Sequence, residues 1–323
     1  MLHTLSLRPG SRMAPVAILP VLIAIAVVSA WPRTASAEHL YVASSGPQTI
    51  VRYPLVNGIP QQPDWTYDSP TLPTSMAIDA QGNLYSAQFQ KIDVFKPTDQ
   101  RPSSEIDIPQ SDACDNGAGT YTSAVAINPS GYVAASIDNW FSGMREERGG
   151  PSVICQGVAT FAAGARGPAV PVNVFGLPGN TFVSSTIDRQ DNLYITDSAR
   201  EKIFEFSHPE GRQRLVRSIS GSAITSPFGL ATGPAGELYA FDGSTNIAVV
   251  DVYKPKESGQ GPPARQLVFP KSAHVFPYIA VAPGFLYVSA YGAVDVYRAS
   301  SSGPATPLFT FPIFSNLTIA VGP

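Results

Sequence analysis

The stretch Ser75 to Pro97, SMAIDAQGNLYSAQFQKIDVFKP, decides the fold. It opens with an apolar run, Met76 to Asp79, and a glycine turn at Gly82. A second run carries Leu84-Tyr85. A third alternates, with Ile92 and Val94 on one face, Asp93 on the other, and aromatic Phe95 at its end. Short runs separated by turn residues read as antiparallel strands.

The same unit recurs at Ser185 to Pro209 (STIDRQDNLYITDSAREKIFEFSHP), Phe228 to Pro255 and Tyr278 to Arg298. A weaker copy, Ala124 to Trp140, has a third strand that arrives late as GVATFAAG. The aligned second-strand positions are Tyr41, Tyr85, Ala134, Tyr194, Tyr239 and Tyr287, spaced by 44, 49, 60, 45 and 48 residues. A period in the forties with about four strands per unit predicts propeller blades. Six anchors predict six. Each third strand ends in an aromatic: Tyr53, Phe95, Phe161, Phe206, Tyr253 and Tyr297. These read as packing residues between sheets. Fourth, outer strands are expected at Ser104 to Ile108, Val172 to Phe175, Leu215 to Ile219, Gln266 to Phe269 and Pro307 to Phe311.

One unit is split between the termini. TIAVGP (Thr318 to Pro323) matches YIAVAP (Tyr278 to Pro283), and the match continues at EHLYVAS (Glu38 to Ser44). The expectation is an all-β, six-bladed propeller over 38–323, its N- and C-terminal strands sharing one blade.

Residues 1–37 read as a secretory signal peptide. Arg8 and Arg12 give a positive start, Ala14 to Ala30 an apolar run, and Ala35-Ser36-Ala37 a small-residue cleavage site. The expected location is extracytoplasmic, periplasmic or secreted, with no membrane span after cleavage. The segment takes three arginines with it, which leaves 18 basic and 24 acidic residues, a net charge of −6. That balance gives no reason to expect a nucleic-acid partner. A monomer is expected.

The run of apolar strand, Asp, Gly-Asn-Leu-Tyr, turn and alternating strand resembles the NHL-repeat family and its TolB-like six-bladed relatives. The resemblance implies a ligand face made by the loops joining strands two to three and four to one. From anchor to aromatic the chain takes 12, 10, 12, 14 and 10 residues in blades 1, 2, 4, 5 and 6, but 27 in blade 3. The extra residues lie within Asn139 to Gln156. They include Trp140, Phe141 and the charged run Arg145 to Arg148. An insertion in one repeat marks either a functional face or a tolerated loop. Asp138, Asn139, Trp140, Phe141, Asp197, Asp242 and His274 are the candidate ligand-binding residues.

Cys114 and Cys155 are the two cysteines. They flank the start of blade 3 and the end of its insertion. In an exported chain a Cys114–Cys155 disulfide is expected to pin that insertion.

Asp138, Asp197 and Asp242 recur where a second strand leaves its sheet. They could ligate Ca²⁺ at the channel mouth, or cap turns. A more distant resemblance, to gluconolactonase and regucalcin-like propellers, implies an Asp after the Leu-Tyr strand, met by Asp197, and an Asn in a Pro-Asn-Gly run. Here that run is Pro227-Phe228-Gly229. His39, His208 and His274 remain after cleavage, with no paired His motif, zinc spacing or G-x-S-x-G run beside them. The expected function is therefore a non-catalytic module binding a protein, glycan or small ligand. A metal-dependent hydrolase, lactonase or lyase is the first alternative, and a structural surface or matrix protein the second.

Overall fold

The structure is a computed structural model that describes residues 38–44, 48–108, 121–138, 157–175, 182–207, 211, 214–220, 224–243, 248–256, 261–269, 278–290, 292–313 and 316–323. The segment read as a signal peptide lies outside these residues.

The described residues form six sheets, taken here in chain order. Blade 1 holds β1 (His39–Ser44), β2 (Thr49–Val56), β3 (Ile59–Pro60) and β4 (Trp65–Asp68). Blade 2 holds β5 (Ser75–Ile78), β6 (Leu84–Ala87), β7 (Lys91–Phe95) and β8 (Ser104–Asp107). Blade 3 holds β9 (Tyr121–Ile127), β10 (Val133–Asp138), β11 (Gly157–Phe161) and β12 (Asn173–Phe175). Blade 4 holds β13 (Phe182–Ile187), β14 (Asn192–Asp197), β15 (Lys202–Ser207) and β16 (Arg214–Ile219). Blade 5 holds β17 (Pro227–Thr232), β18 (Leu238–Gly243), β19 (Ala248–Tyr253) and β20 (Arg265–Phe269). Blade 6 holds β21 (Ile279–Ala282), β22 (Phe285–Ala290), β23 (Ala293–Arg298) and β25 (Phe309–Pro312), with the short β24 (Gly303–Pro304) running parallel to β20. The last strand, β26 (Asn316–Gly322), returns to blade 1 as its inner strand, antiparallel to β1.

The chain is an all-β propeller of six blades. The split repeat closes it as the sequence predicts, with His39 opposite Gly322 and Val42 opposite Ile319. The inner strands β26, β5, β9, β13, β17 and β21 touch in cyclic order, so β26 packs on both β5 and β21. That approach is close. A Cβ on Gly322 would lie 2.4 Å from Ile78 Cγ2, so only glycine fits there without movement. A second link crosses the seam where Tyr287 donates its hydroxyl to the Gly58 carbonyl at 2.8 Å.

Alternation explains the core. Along β6, Tyr85 and Ala87 face blade 3 with Val125, Val133 and Ala135. Leu84 faces blade 1 with Tyr41, Ile50 and Tyr67. Each sheet is thus buried on both sides, which suits strands rich in Val, Ile and aromatics. The terminal aromatics pack as expected: Phe95 lies 5.4 Å from Tyr67, Phe206 5.0 Å from Phe175 and Tyr297 5.1 Å from Phe269, centroid to centroid. Such pairs add about 0.5–1.5 kcal/mol each beyond area burial.

The Asp of the repeat locks the turn between inner and second strands. Asp79 accepts from the amides of Gln81 and Asn83, from Asn83 Nδ2 and from the Tyr85 hydroxyl. Asp188 repeats the set on Gln190, Asn192 and Tyr194. Outer strands appear within a residue or two of the expected places. Blade 1 adds one that its sequence did not reveal, Trp65–Asp68 on β2.

Candidate functional site

The second-to-third and fourth-to-first connections emerge at one end of the ring, and blades 2 and 3 form one corner of that end. In blade 2, β6 and β7 are joined by Gln88, Phe89 and Gln90. The Phe89 carbonyl accepts the Thr122 amide of β9 at 2.8 Å, and the Gln90 carbonyl accepts the Ile108 amide at 2.9 Å. The chain therefore leaves blade 2 at Ile108 and re-enters at Tyr121 on the same side. It leaves β10 at Asp138, opposite Tyr121, and returns at Gly157, opposite Ile137. Both long connections, 109–120 and 139–156, start and finish around Phe89. Cys114 and Cys155 belong to them, as do Asn139, Trp140 and Phe141. Those five residues and His274 lie outside the described residues.

Phe89 is 68% exposed, and Gln90 after it is exposed as well. Neighbouring Gln88 is 2% exposed. Its Nε2 donates to Ser86 Oγ at 2.9 Å and to Ser69 Oγ at 3.3 Å, which ties blade 2 to the strand connection from blade 1.

The three recurring carboxylates do share one position in the ring. Asp138, Asp197 and Asp242 each pair with the first residue of an inner strand: Tyr121, Phe182 and Pro227. Asp138 stands one residue further from its anchor than the other two, and all three pairings carry a register shift near the carboxylate. Asp197 and Asp242 are 0% and 2% exposed, so neither points freely into a channel mouth. Asp197 caps the short turn Ser198–Arg200: its Oδ1 accepts from the Arg200 amide at 3.2 Å, and Oδ2 pairs with the guanidinium at 3.4 Å. Asp242 accepts from the amides of Thr225 and Ser226 and from Thr225 Oγ1, the last at 2.8 Å. Turn capping, one of the two roles open in the sequence, is what these two side chains perform. Among the described residues no three His, Cys, Asp or Glu side chains gather around a point where a metal could sit.

A second acidic column was hidden in the alternation of the third strands. Asp93, Asp251 and Asp295 occupy equivalent positions, two before the terminal aromatic. Asp93 and Asp251 are completely buried. Burial pushes the Asp93 carboxyl up, while Lys91 Nζ, 3.1 Å away, pulls it down. Burial pushes Asp251 up to about 7; the Gln266 amide opposes this and the charge of Asp242 adds to it. The Tyr anchors are pushed up by burial too, Tyr85 to about 12.

No protein-family profile matches the chain, and no curated protein matches it. Solved structures do. A chain of the nidogen/laminin complex aligns at a TM-score of 0.62 and 15% identity, over 88% of this chain and 98% of that one. A candidate 6-phosphogluconolactonase from Bacteroides fragilis NCTC 9343 aligns at 0.58 and 11% identity, over 90% and 100%. The WD40 repeats of RRP9 align at 0.55 and 9% identity, over 87% and 80%. At such identities the likeness is one of fold, and a propeller fold hosts unrelated activities.

Proposed function

We propose that this chain is an exported, NHL-like propeller that binds a protein, glycan or small ligand at the corner of blades 2 and 3, and is not an enzyme. The exposed Phe89 ring carries the reading. It stands where two long connections converge, and exposed aromatics on a rigid scaffold are favoured contact residues. A Cys114–Cys155 disulfide would hold the two connections together, and the shared side of their end points supports that pairing. The likeness to a chain from a protein–protein complex is consistent with binding, at the level of fold alone. The lactonase alternative has less support. Asp197 is committed to Arg200, and Phe228 stands where the resembling enzymes carry Asn.

Deleting Ser142 to Gly150 tests the reading. Bait lacking the loop should melt like the full chain yet lose the partner that the full chain captures from culture medium of the source cells. Equal capture by both would overturn the site. Turnover of a lactone panel by the full chain would overturn the non-catalytic assignment.

A further inference from the structure

Asp93, Asp251 and Asp295 hold one repeat position with three different outcomes. The Asp295 carboxylate is answered by Thr310 Oγ1 at 2.7 Å and the Tyr297 hydroxyl at 3.3 Å. Asp93 has the Lys91 ammonium at 3.1 Å. Asp251 has only Gln266 Nε2, 2.7 Å from Oδ1, and its Oδ2 has no hydrogen-bond partner although the residue is 0% exposed. Among the described residues the charge that bears on it is another acid, Asp242. Register places Asp251 opposite Ala240 and Asp242 opposite Val249, so both carboxylates project from the same face of blade 5 on diagonal rungs. Their neighbours on that face, Leu238, Ala240 and Tyr253, pack against Ile203, Ile219 and Ile224. The pair is therefore enclosed between blades 4 and 5, and neither acid is ion-paired among the described residues.

Two buried carboxylates without a countercharge are costly, and native structures answer them with a proton, a base or a metal ion. No base is at hand. A proton on Oδ2 would remove charge but leave an O–H with nothing to receive it, because that oxygen has no partner of either kind. A cation answers both groups at once. Diagonal rungs separate Cβ atoms by roughly 7 Å. Two carboxylates and one ion with oxygen distances of about 2.4 Å span that gap.

We propose that Asp242 and Asp251 form a buried site for a hard divalent cation of the Ca²⁺ type at the interface of blades 4 and 5. Asp251 Oδ2 and an Asp242 oxygen supply the charge, and Thr225 Oγ1, 2.8 Å from Asp242 Oδ1, supplies a neutral oxygen. Ca²⁺ suits the place better than Mg²⁺, which demands strict octahedral geometry and sheds water reluctantly. The site differs from a channel-mouth set. It lies between sheets and uses an acid from a third strand.

The test is thermal melting of the full chain, refolded in EDTA, then in 1 mM CaCl₂, MgCl₂ or KCl at one pH and constant ionic strength. Calcium should raise the midpoint by roughly 5 °C, the size of shift that binding well above Kd gives a domain of this length. Asp251→Asn should abolish the shift, while Asp295→Asn, the matching position in blade 6, should keep it. Metal analysis after dialysis should find about one Ca²⁺ per chain in wild type and none in Asp251→Asn. Superimposed melts in EDTA and CaCl₂ would overturn the proposal. So would a calcium shift that survives Asp251→Asn, which would place the ion elsewhere.

Discussion

His39, at the start of the first strand, lies directly opposite Gly322, at the end of the last. The pairing makes blade 1 a composite of both ends of the fold and leaves no open inner edge. Closure of this kind removes the unpaired strand that an open ring would present. Substituting Gly322 by Val forces a side chain into Ile78 and should cost about 1–3 kcal/mol by overpacking. Removing 316–323 should be far worse, because it strips β1 and β5 of their neighbour together. Circular dichroism melts check both. A truncated chain with an unchanged midpoint would contradict the closed ring.

Asp188 should matter more than an ordinary surface turn residue. It accepts four hydrogen bonds, one from the buried Tyr194 hydroxyl at 3.1 Å. Asp188→Ala leaves those donors unanswered, at a cost of about 2–4 kcal/mol if two of them stay buried. Asp79→Ala should behave alike, since the same four bonds recur there. Chemical denaturation compares the two variants. A loss under about 0.5 kcal/mol in both would show the turns to be redundant.

The fold should fail in alkali for a definable reason. Burial pushes the Tyr85 hydroxyl up to about 12 from 10, and Tyr41, Tyr194, Tyr287 and Tyr297 further still. The neutral form is the folded form, so the folded chain holds protons that the unfolded chain gives up. This contribution is complete below pH 10 and is lost as pH rises through 12. Tyrosinate absorbance should therefore lag behind that of free tyrosine, then rise together with loss of the sheet signal. A tyrosinate curve complete near pH 10 with the sheet intact would contradict the burial of these hydroxyls.

Non-reducing peptide mapping settles the cysteine pairing. A Cys114–Cys155 cross-link is expected. Closing a loop of that size is worth about 3–4 kcal/mol in chain-entropy terms. Free thiols at both positions would remove the pinned insertion from the account.

The architecture was legible because it rests on local chemistry repeated around the ring, with Ala134 the one anchor that is not Tyr. Leu-Tyr anchors, period-two alternation and terminal aromatics each report a strand without knowledge of its neighbours. The split unit even showed which strand would pair with which. The β4 strand escaped notice because Trp65 to Asp68 has no counterpart with a clear pattern and follows Gln- and Pro-rich turns. The site was less legible. Asp197 and Asp242 could be seen to recur, but their commitments to Arg200, Thr225 and Ser226 depend on chain paths that only the folded loops define. Asp251 looked like the polar partner in an alternating strand, as Asp93 and Asp295 did. Its isolation comes from what the adjacent blade fails to provide. Phe89 sits in a short turn with no repeat signature, and only the exposure of its ring distinguishes it from the many packing aromatics.

The proposed binding face surrounds Phe89, and removing that ring is the decisive comparison. Wild type and Phe89→Ala, each as purified full chain, are titrated against the captured partner and melted side by side. Phe89→Ala should bind at least tenfold more weakly, a loss of about 1.4 kcal/mol or more. Its melting midpoint should be little changed, because the ring is mostly exposed. Equal affinity, or weaker binding matched by a lower midpoint, would contradict a binding role for this corner.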